Sequence, residues 1–419
     1  MSASLSRRSL LAGASASLIA APAVAQGTAH IVVIGGGFGG SSVARSLKQL
    51  APNIRVTMVE PNRVFTACPF SNEVIAGLRD LPAQQFTYDG VARSGVEIDF
   101  THASAIDAAA KRVTLADGTV LTYDRLVLSP GIDIRWGALR GYDEAASARM
   151  PHAWKAGEQT MLLRRQLEAM EDGGLVVMSA PDNPFRCPPG PYERASLIAW
   201  YLKTKKPKSK LILLDAKDNF SKQRLFQQAW SQLFPNLEWI GLSKGGKVSS
   251  VDANTLSVTT DFETYKAQVV NIIPPQRAGL IAEAAGVSDR SGWCPIDPVT
   301  FESRLQPNIH VIGDAAVAGA MPKSAFAANA QAKVCAAAIV ALLHNRTPQE
   351  PRLINTCYSI VMPDYGISVA GVYKPGKGLL MDIEGAGGTS PLQAPDSTRK
   401  MEADLALGWY NTITREVFG

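Results

Sequence analysis

The sequence predicts an α/β protein with two Rossmann-like dinucleotide-binding domains, the first split by the second, and a C-terminal α+β domain. Three observations carry that reading. A β-branched run, His30-Ile31-Val32-Val33-Ile34, enters a glycine cluster at once. A second strand pattern followed by Gly-Asp stands far downstream, at Ile309-His310-Val311-Ile312-Gly313-Asp314. Between them a further strand–helix–strand pattern, Gly174 to Asp215, carries no glycine cluster.

The first unit holds G-x-G-x-x-G at Gly35, Gly37 and Gly40, then a helix pattern from Ser41 to Leu50. A second strand, Arg55 to Val59, runs into Glu60. Gly35 permits the tight turn, Gly37 lets the backbone approach a pyrophosphate, and Gly40 lets helix and strand pack closely. The helix N-terminus offers N–H groups to phosphate, and Glu60 can accept from ribose hydroxyls. Downstream, Tyr123 to Gly131 resembles the returning strand of two-dinucleotide-fold flavoproteins, and Asp314 resembles the acid that holds the ribityl chain there. These motifs in this order imply FAD at the first site. They divide the chain into a split FAD-binding domain (29–150 and 295–345), an inserted NAD-like domain (151–294) and a C-terminal interface domain (346–419).

The inserted domain reads as a fold without its ligand. Its first strand, Gly174 to Ser179, leads into Ala180-Pro181-Asp182-Asn183-Pro184-Phe185-Arg186-Cys187-Pro188-Pro189-Gly190-Pro191. Proline fixes φ and removes the N–H donors that a phosphate cradle needs. Electrons are therefore expected to travel to or from something other than a nicotinamide.

Composition bounds the rest. Of 419 residues, 46% are hydrophobic and 19% charged, a globular balance and not a disordered one. The net charge of +5 is small and scattered, so no nucleic-acid partner is expected. After the first thirty positions no uncharged apolar run approaches a membrane span, so no integral membrane segment is expected. Residues 1–25 read as a twin-arginine export signal: Ser6-Arg7-Arg8-Ser9-Leu10-Leu11, a mildly apolar stretch, then Ala23-Val24-Ala25. The expected compartment is the periplasm. Five scattered histidines with no H-x-x-x-H pair argue against a metal site.

Five cysteines cannot all pair with one another. Cys335 sits in an apolar helix pattern and Cys294 beside Trp293 and Pro295; both read as structural. Cys187 lies in the proline-rich loop, with Glu193 in the helix start that follows. Cys357 lies in Asn355-Thr356-Cys357-Tyr358-Ser359, in the C-terminal region. A bond between these two would be either a structural cross-link or a redox disulfide against a flavin. Glu193 is either a proton-handling group or an ordinary first-turn acid. Cys68, beyond the second strand, is a structural thiol, a redox partner or an anchor to the flavin. Lys323, before a helix pattern, either supports charge on a reduced flavin or is solvated.

Longer stretches carry a family resemblance. They include Val59-Glu60-Pro61-Asn62, Ser71-Asn72-Glu73-Val74-Ile75, Phe185-Arg186-Cys187-Pro188-Pro189-Gly190-Pro191-Tyr192-Glu193-Arg194, Met321-Pro322-Lys323-Ser324 and Asn355-Thr356-Cys357-Tyr358-Ser359-Ile360. Over its length after the leader the chain resembles the flavoprotein subunit of flavocytochrome c sulfide dehydrogenase. The resemblance implies that Cys187 and Cys357 form a redox-active disulfide beside FAD, that Glu193 acts near it, and that Cys68 bonds the flavin. Pro69 is a local departure from the family pattern at that anchor. It further implies that sulfide is the substrate and that a cytochrome c subunit or soluble cytochrome c takes the electrons. No C-x-x-C-H is present, so the haem belongs to another polypeptide.

The expected chemistry is attack of HS⁻ on the disulfide, with Cys357 as the flavin-side thiol and sulfane sulfur or polysulfide as product. Two rivals share parts of the pattern. A sulfide:quinone oxidoreductase would need a membrane-docking segment, for which Met401 to Phe418 is partly amphipathic. A non-catalytic flavin-bearing sulfur carrier would have no need of both Cys187 and Cys357.

Overall fold

β-Branched and aliphatic runs set the two parallel sheets. The computed structural model describes residues 28–419; the twin-arginine leader lies outside the described residues. The first domain opens with β1 (His30–Ile34), α1 (Phe38–Leu50), β2 (Arg55–Val59), β3 (Glu97–Asp99) and β4 (Arg125–Leu128). The inserted domain supplies β5 (Leu175–Ala180), α2 (Gly190–Lys205), β6 (Lys210–Asp215), α3 (Gln223–Leu233), β7 (Leu237–Ile240) and β8 (Val269–Ile272). The chain then returns with β9 (Ile309–Val311) and α4 (Ala325–Leu343). It finishes with β10 (Leu353–Met362), β11 (Tyr365–Gly376), β12 (Leu379–Asp382) and α5 (Asp396–Phe418).

The first sheet has the order β9-β4-β1-β2-β3, all parallel. Ile31, Val32 and Val33 are buried on both faces, as central parallel strands require. Because β9 pairs with β4, the two halves of the split domain share one sheet. The chain leaves β1 in one direction to β2 and meets β4 on the other side. The carboxyl end of β1 is thus the switch-point crevice where α/β sheets bind ligands.

The second sheet runs β7-β6-β5-β8, again parallel throughout. A three-stranded antiparallel sheet over Val248–Lys266, not anticipated from the sequence, completes the inserted domain. The C-terminal sheet is antiparallel, with β10, β11 and β12 in sequence order and Cys357 opposite Val369. α5 crosses this sheet and returns to the first domain. There Phe418 packs between Phe38, Phe65 and Phe86 at 5.6, 5.1 and 5.2 Å between ring centres.

Among the described residues, α4 is the one helix long and apolar enough to cross a membrane. It packs against α1 through alanines, and Asn329 donates to Ser42 Oγ across that contact at 2.9 Å. Its apolar composition serves a helix–helix contact within the fold.

Candidate active site

The glycine loop is shaped by contacts that a side chain would destroy. Gly35 has φ +100°, and a Cβ there would lie 2.4 Å from the Ser129 carbonyl oxygen. A Cβ on Gly40 would stand 1.7 Å from the Gly35 carbonyl oxygen, so this glycine sets the helix–strand approach and lies behind the cavity. α1 has no acid in its first turn, which leaves its positive end free for an anion. Glu60 stands across from it. One carboxylate oxygen accepts from Gly36 N at 2.8 Å, the other from Asn62 N and Nδ2 at 2.9 and 2.8 Å.

A cavity of about 540 Å³ opens at this crevice. Gly35, Gly37 and Glu60 line one end, and Cys68 and Asp314 flank it. Cys187, Glu193 and Cys357 line it as well. Eight of the ten residues singled out from the sequence therefore meet in one space; Gly40 and Lys323 do not line it.

Three cavity residues hold buried polar atoms with no partner: Tyr88 Oη, Trp154 Nε1 and Asp314 Oδ1. Unpaired buried groups are costly, and such an atom facing a cavity marks a position for a polar ligand. A long ligand with phosphates, hydroxyls and ring heteroatoms fits this donor set. Arg186 Nη1 lies 3.9 Å from Asp314 Oδ2, and Arg186 also donates to the Trp154 carbonyl. Burial pushes the Asp314 carboxyl up, and Arg186 and Lys323 pull it back.

The sulfur end is assembled from two domains. Cys187 sits in the left-handed region at φ +56°, with its N–H on the Lys323 carbonyl at 2.8 Å. Cys357 comes from β10 and is 8% exposed; Asn355 Nδ2 lies 3.2 Å from its sulfur. Ser324, the cap of α4, donates to Asn355 Oδ1 at 2.6 Å and orients that amide. Both cysteines are unbridged thiols in this structure, so the bond expected between them is not present. Burial pushes both thiols up; Lys222 opposes it at each, and Asn355 at Cys357.

Glu193 is held in the first turn of α2 by Ile360 N–H at 2.9 Å and Asn72 Nδ2 at 3.2 Å. Burial pushes its carboxyl up to about 7. Cys68 follows a short strand and points its sulfur toward the Trp154 carbonyl, 3.9 Å away.

Lys323 requires a correction. Its ammonium does not reach the cavity; it donates to the Asp314 and Ala316 carbonyls at 2.7 and 2.8 Å and lies 4.0 Å over the Trp293 ring. It braces the Asp314 loop from behind. The physical reason is reach: carbonyls freed by the turn after β9 lie closer to it than the cavity does. Residues not singled out include Arg194, buried with four hydrogen bonds, which fixes the 152–154 segment through the His152 and Ala153 carbonyls. Lys222 and Asn355 were also not singled out. Single polar residues at helix starts and in strands carry no sequence signal of burial.

The corresponding crevice of the inserted domain is filled. Asp215, at the end of β6 where a ribose-binding acid would stand, is fully buried. It accepts from Tyr192 Oη at 2.7 Å, Trp239 Nε1 at 3.1 Å and Lys217 Nζ at 2.6 Å. Tyr192 stacks on Phe220 with ring centres 3.6 Å apart. Protein donors thus engage the carboxylate that a ribose would use in a nucleotide-binding relative.

A split parallel-sheet domain with a glycine cradle, a filled second crevice and two cavity cysteines define a flavin-type oxidoreductase of the two-dinucleotide-fold class. Comparison with known proteins makes the assignment specific. Residues 29–157 match the pyridine nucleotide-disulphide oxidoreductase family. Residues 160–274 match the central region of the sulfide dehydrogenase (flavocytochrome c) flavoprotein chain, and 349–418 match the flavin-binding region of flavocytochrome c sulphide dehydrogenase. The chain belongs to the flavocytochrome c sulfide dehydrogenase flavoprotein family. A 48-residue stretch is 58% identical to the sulfide dehydrogenase (flavocytochrome c) flavoprotein chain of Chlorobaculum thiosulfatiphilum, covering 12% of this chain and 100% of that sequence. The mitochondrial sulfide:quinone oxidoreductase of Mus musculus is 22% identical over 76% of this chain and 72% of its own. The sulfide:quinone oxidoreductase structure from Aquifex aeolicus superposes with a TM-score of 0.72 at 18% identity, over 93% of this chain and 92% of that one. That last likeness speaks for the fold.

Proposed function

We propose that this chain oxidises sulfide through a Cys187–Cys357 disulfide and delivers the electrons, by way of FAD, to a cytochrome c carried on another polypeptide. The observation that carries the reading is that two cysteines from different domains line the same cavity as the glycine loop and Asp314. Gly35, Gly37 and the start of α1 would hold the pyrophosphate, Glu60 the ribose and Asp314 the ribityl chain. Cys68 is the candidate covalent anchor. The periplasmic assignment rests on the twin-arginine pattern of the leader.

HS⁻ attacks the Cys187 sulfur; a new sulfur–sulfur bond forms, the disulfide breaks, and its electron pair leaves on Cys357. A second HS⁻ takes the outer sulfur as HSS⁻ and leaves Cys187 as a thiol beside the Cys357 thiolate. Closing the disulfide again releases two electrons and the Cys187 proton. Glu193, with a carboxyl titrating near neutrality, is suited to accept that proton. FAD supplies the acceptor for the electron pair and can pass electrons on singly to a haem.

Sulfide-dependent reduction of cytochrome c by the purified protein tests this. Cys187→Ser and Cys357→Ser should each fall to background; wild-type rates in either variant contradict the scheme. A quinone acceptor is the second reading, favoured by the exposed Met401 and Leu405 (53% and 50%) on α5, the helix whose Trp409 lines the cavity. Reduction of a soluble quinone in place of cytochrome c would decide for it. Absence of turnover with every acceptor would leave a flavin-bearing sulfur carrier.

A further inference from the structure

Lys222 is a buried cation whose contacts the fold alone does not explain. It sits just before α3 in the left-handed region, at φ +61°, and only 8% of it is exposed. Its ammonium crosses from the inserted domain to β10. There it donates to the Cys357 carbonyl and to Ser359 Oγ, both at 2.8 Å, with the Ile367 carbonyl at 3.5 Å. Among the described residues no carboxylate oxygen lies within ion-pair distance of it. A buried charge that meets only neutral acceptors is costly and calls for an anion nearby.

The groups that face it come from every neighbouring element. They are Cys357 on β10, Glu193 on α2, Cys187 in the preceding loop and Glu402 on α5. Glu402 is already engaged by Ser390 and by Arg399, whose Nη1 is 3.6 Å away. Glu193 has its own two donors. Tyr373 on β11 also feels Cys357 and carries no charge near neutrality, since its phenol is pushed up to about 12. Glu193 and the sulfur pair both lack a cationic contact partner, but the ammonium is fastened to the backbone of Cys357 and not to Glu193.

Resting on the sulfide reading above, we infer that Lys222 is a positioning residue for sulfur exchange: held on the Cys357 carbonyl, it makes Cys357 the sulfur that takes the negative charge when the disulfide opens, and so directs HS⁻ to Cys187. In this step one sulfur–sulfur bond forms at Cys187, one breaks, and the electron pair leaves on Cys357 with no proton moved. A better-stabilised thiolate is the faster leaving group. Asn355, 3.2 Å from the Cys357 sulfur, acts in the same direction. Burial lowers the Lys222 ammonium to about 8, so its charge is present at neutral pH and is lost above that.

The test is where the added sulfur goes. The oxidised holoprotein is mixed anaerobically with about one equivalent of sulfide, quenched in denaturant with N-ethylmaleimide, and mapped by mass spectrometry. Wild type should carry the persulfide on Cys187 and the maleimide on Cys357, by at least about tenfold. In Lys222→Met that bias should fall to about threefold or less. Lys222→Arg should restore it, and Ser359→Ala, which removes one anchor and no charge, should retain it. A wild-type bias toward Cys357, a bias unchanged in Lys222→Met, or its loss in Ser359→Ala overturns the assignment. Should Lys222→Met not fold, the wild type decides: its bias must decline between pH 7 and 9.5, and a flat bias overturns the role. A wild type that forms no persulfide at either cysteine overturns the sulfide reading itself, whereas persulfide without bias overturns only the role of Lys222.

Discussion

Tyr192 donates its phenol proton to Asp215 across 2.7 Å, at the end of β6 where a dinucleotide fold places its ribose-binding acid. The carboxylate is saturated by Tyr192, Trp239 and Lys217, and the Tyr192–Phe220 stack fills the space beside it. Loss of one bond to a buried charge costs about 1.5–3 kcal/mol. Tyr192→Phe should therefore lower the unfolding free energy by that amount, read as a lower urea midpoint without a change in slope. It should leave NADH unable to reduce the flavin, because the stack remains. NADH oxidation by the wild type at a rate comparable to sulfide would contradict this.

Glu193 sets a pH dependence whose sign is fixed by burial. Its folded value, about 7, lies above the ordinary 4.5, so the native state holds the proton more tightly than the unfolded chain. The stability it contributes is fully present below pH 4.5 and is lost as pH rises through 7. The loss amounts to roughly 3 kcal/mol. Glu193→Gln should flatten that part of the stability profile, measured by denaturant unfolding from pH 5 to 8. It should also remove a limb near pH 7 from the rate of cytochrome c reduction. An unchanged limb would assign it to another group.

The candidate residues were legible in the sequence where chemistry dictates spacing. Gly35 and Gly40 stand out because no other residue allows those approaches, Gly37 by its spacing between them, and Cys187 and Cys357 because thiols are few and their surroundings differ. What surrounds them was not legible. Lys222 and Arg194 lie at helix starts and carry no sequence signal of burial; only the packing of α2 against β10 and the reach of the two side chains to the Cys357 carbonyl and the 152–154 segment show it. Lys323, before a helix pattern, reads as either a flavin-side charge or a solvated lysine, but its long flexible side chain takes the carbonyls behind Asp314. The prolines after β5 showed that a phosphate cradle was missing but not that Tyr192 and Asp215 would close the crevice.

Flavin retention separates the roles of Cys68 and Asp314. Acid precipitation of the wild type should leave the flavin in the pellet, and Cys68→Ser should release it to the supernatant. In that background Asp314→Ala should weaken flavin affinity at least about tenfold, the effect of losing a bond to a buried charge. Wild-type flavin found wholly in the supernatant would refute the covalent anchor and leave the non-covalent site to be tested by Asp314→Ala alone.

The most direct measurement is the flavin spectrum of the purified holoprotein under anaerobic addition of sulfide, then of NADH to a fresh sample, then of oxidised cytochrome c. Bleaching by sulfide and not by NADH, reversed by cytochrome c and absent in Cys357→Ser, is the predicted result. No bleaching by sulfide, or wild-type bleaching in Cys357→Ser, would contradict a sulfide oxidation that runs through Cys187 and Cys357.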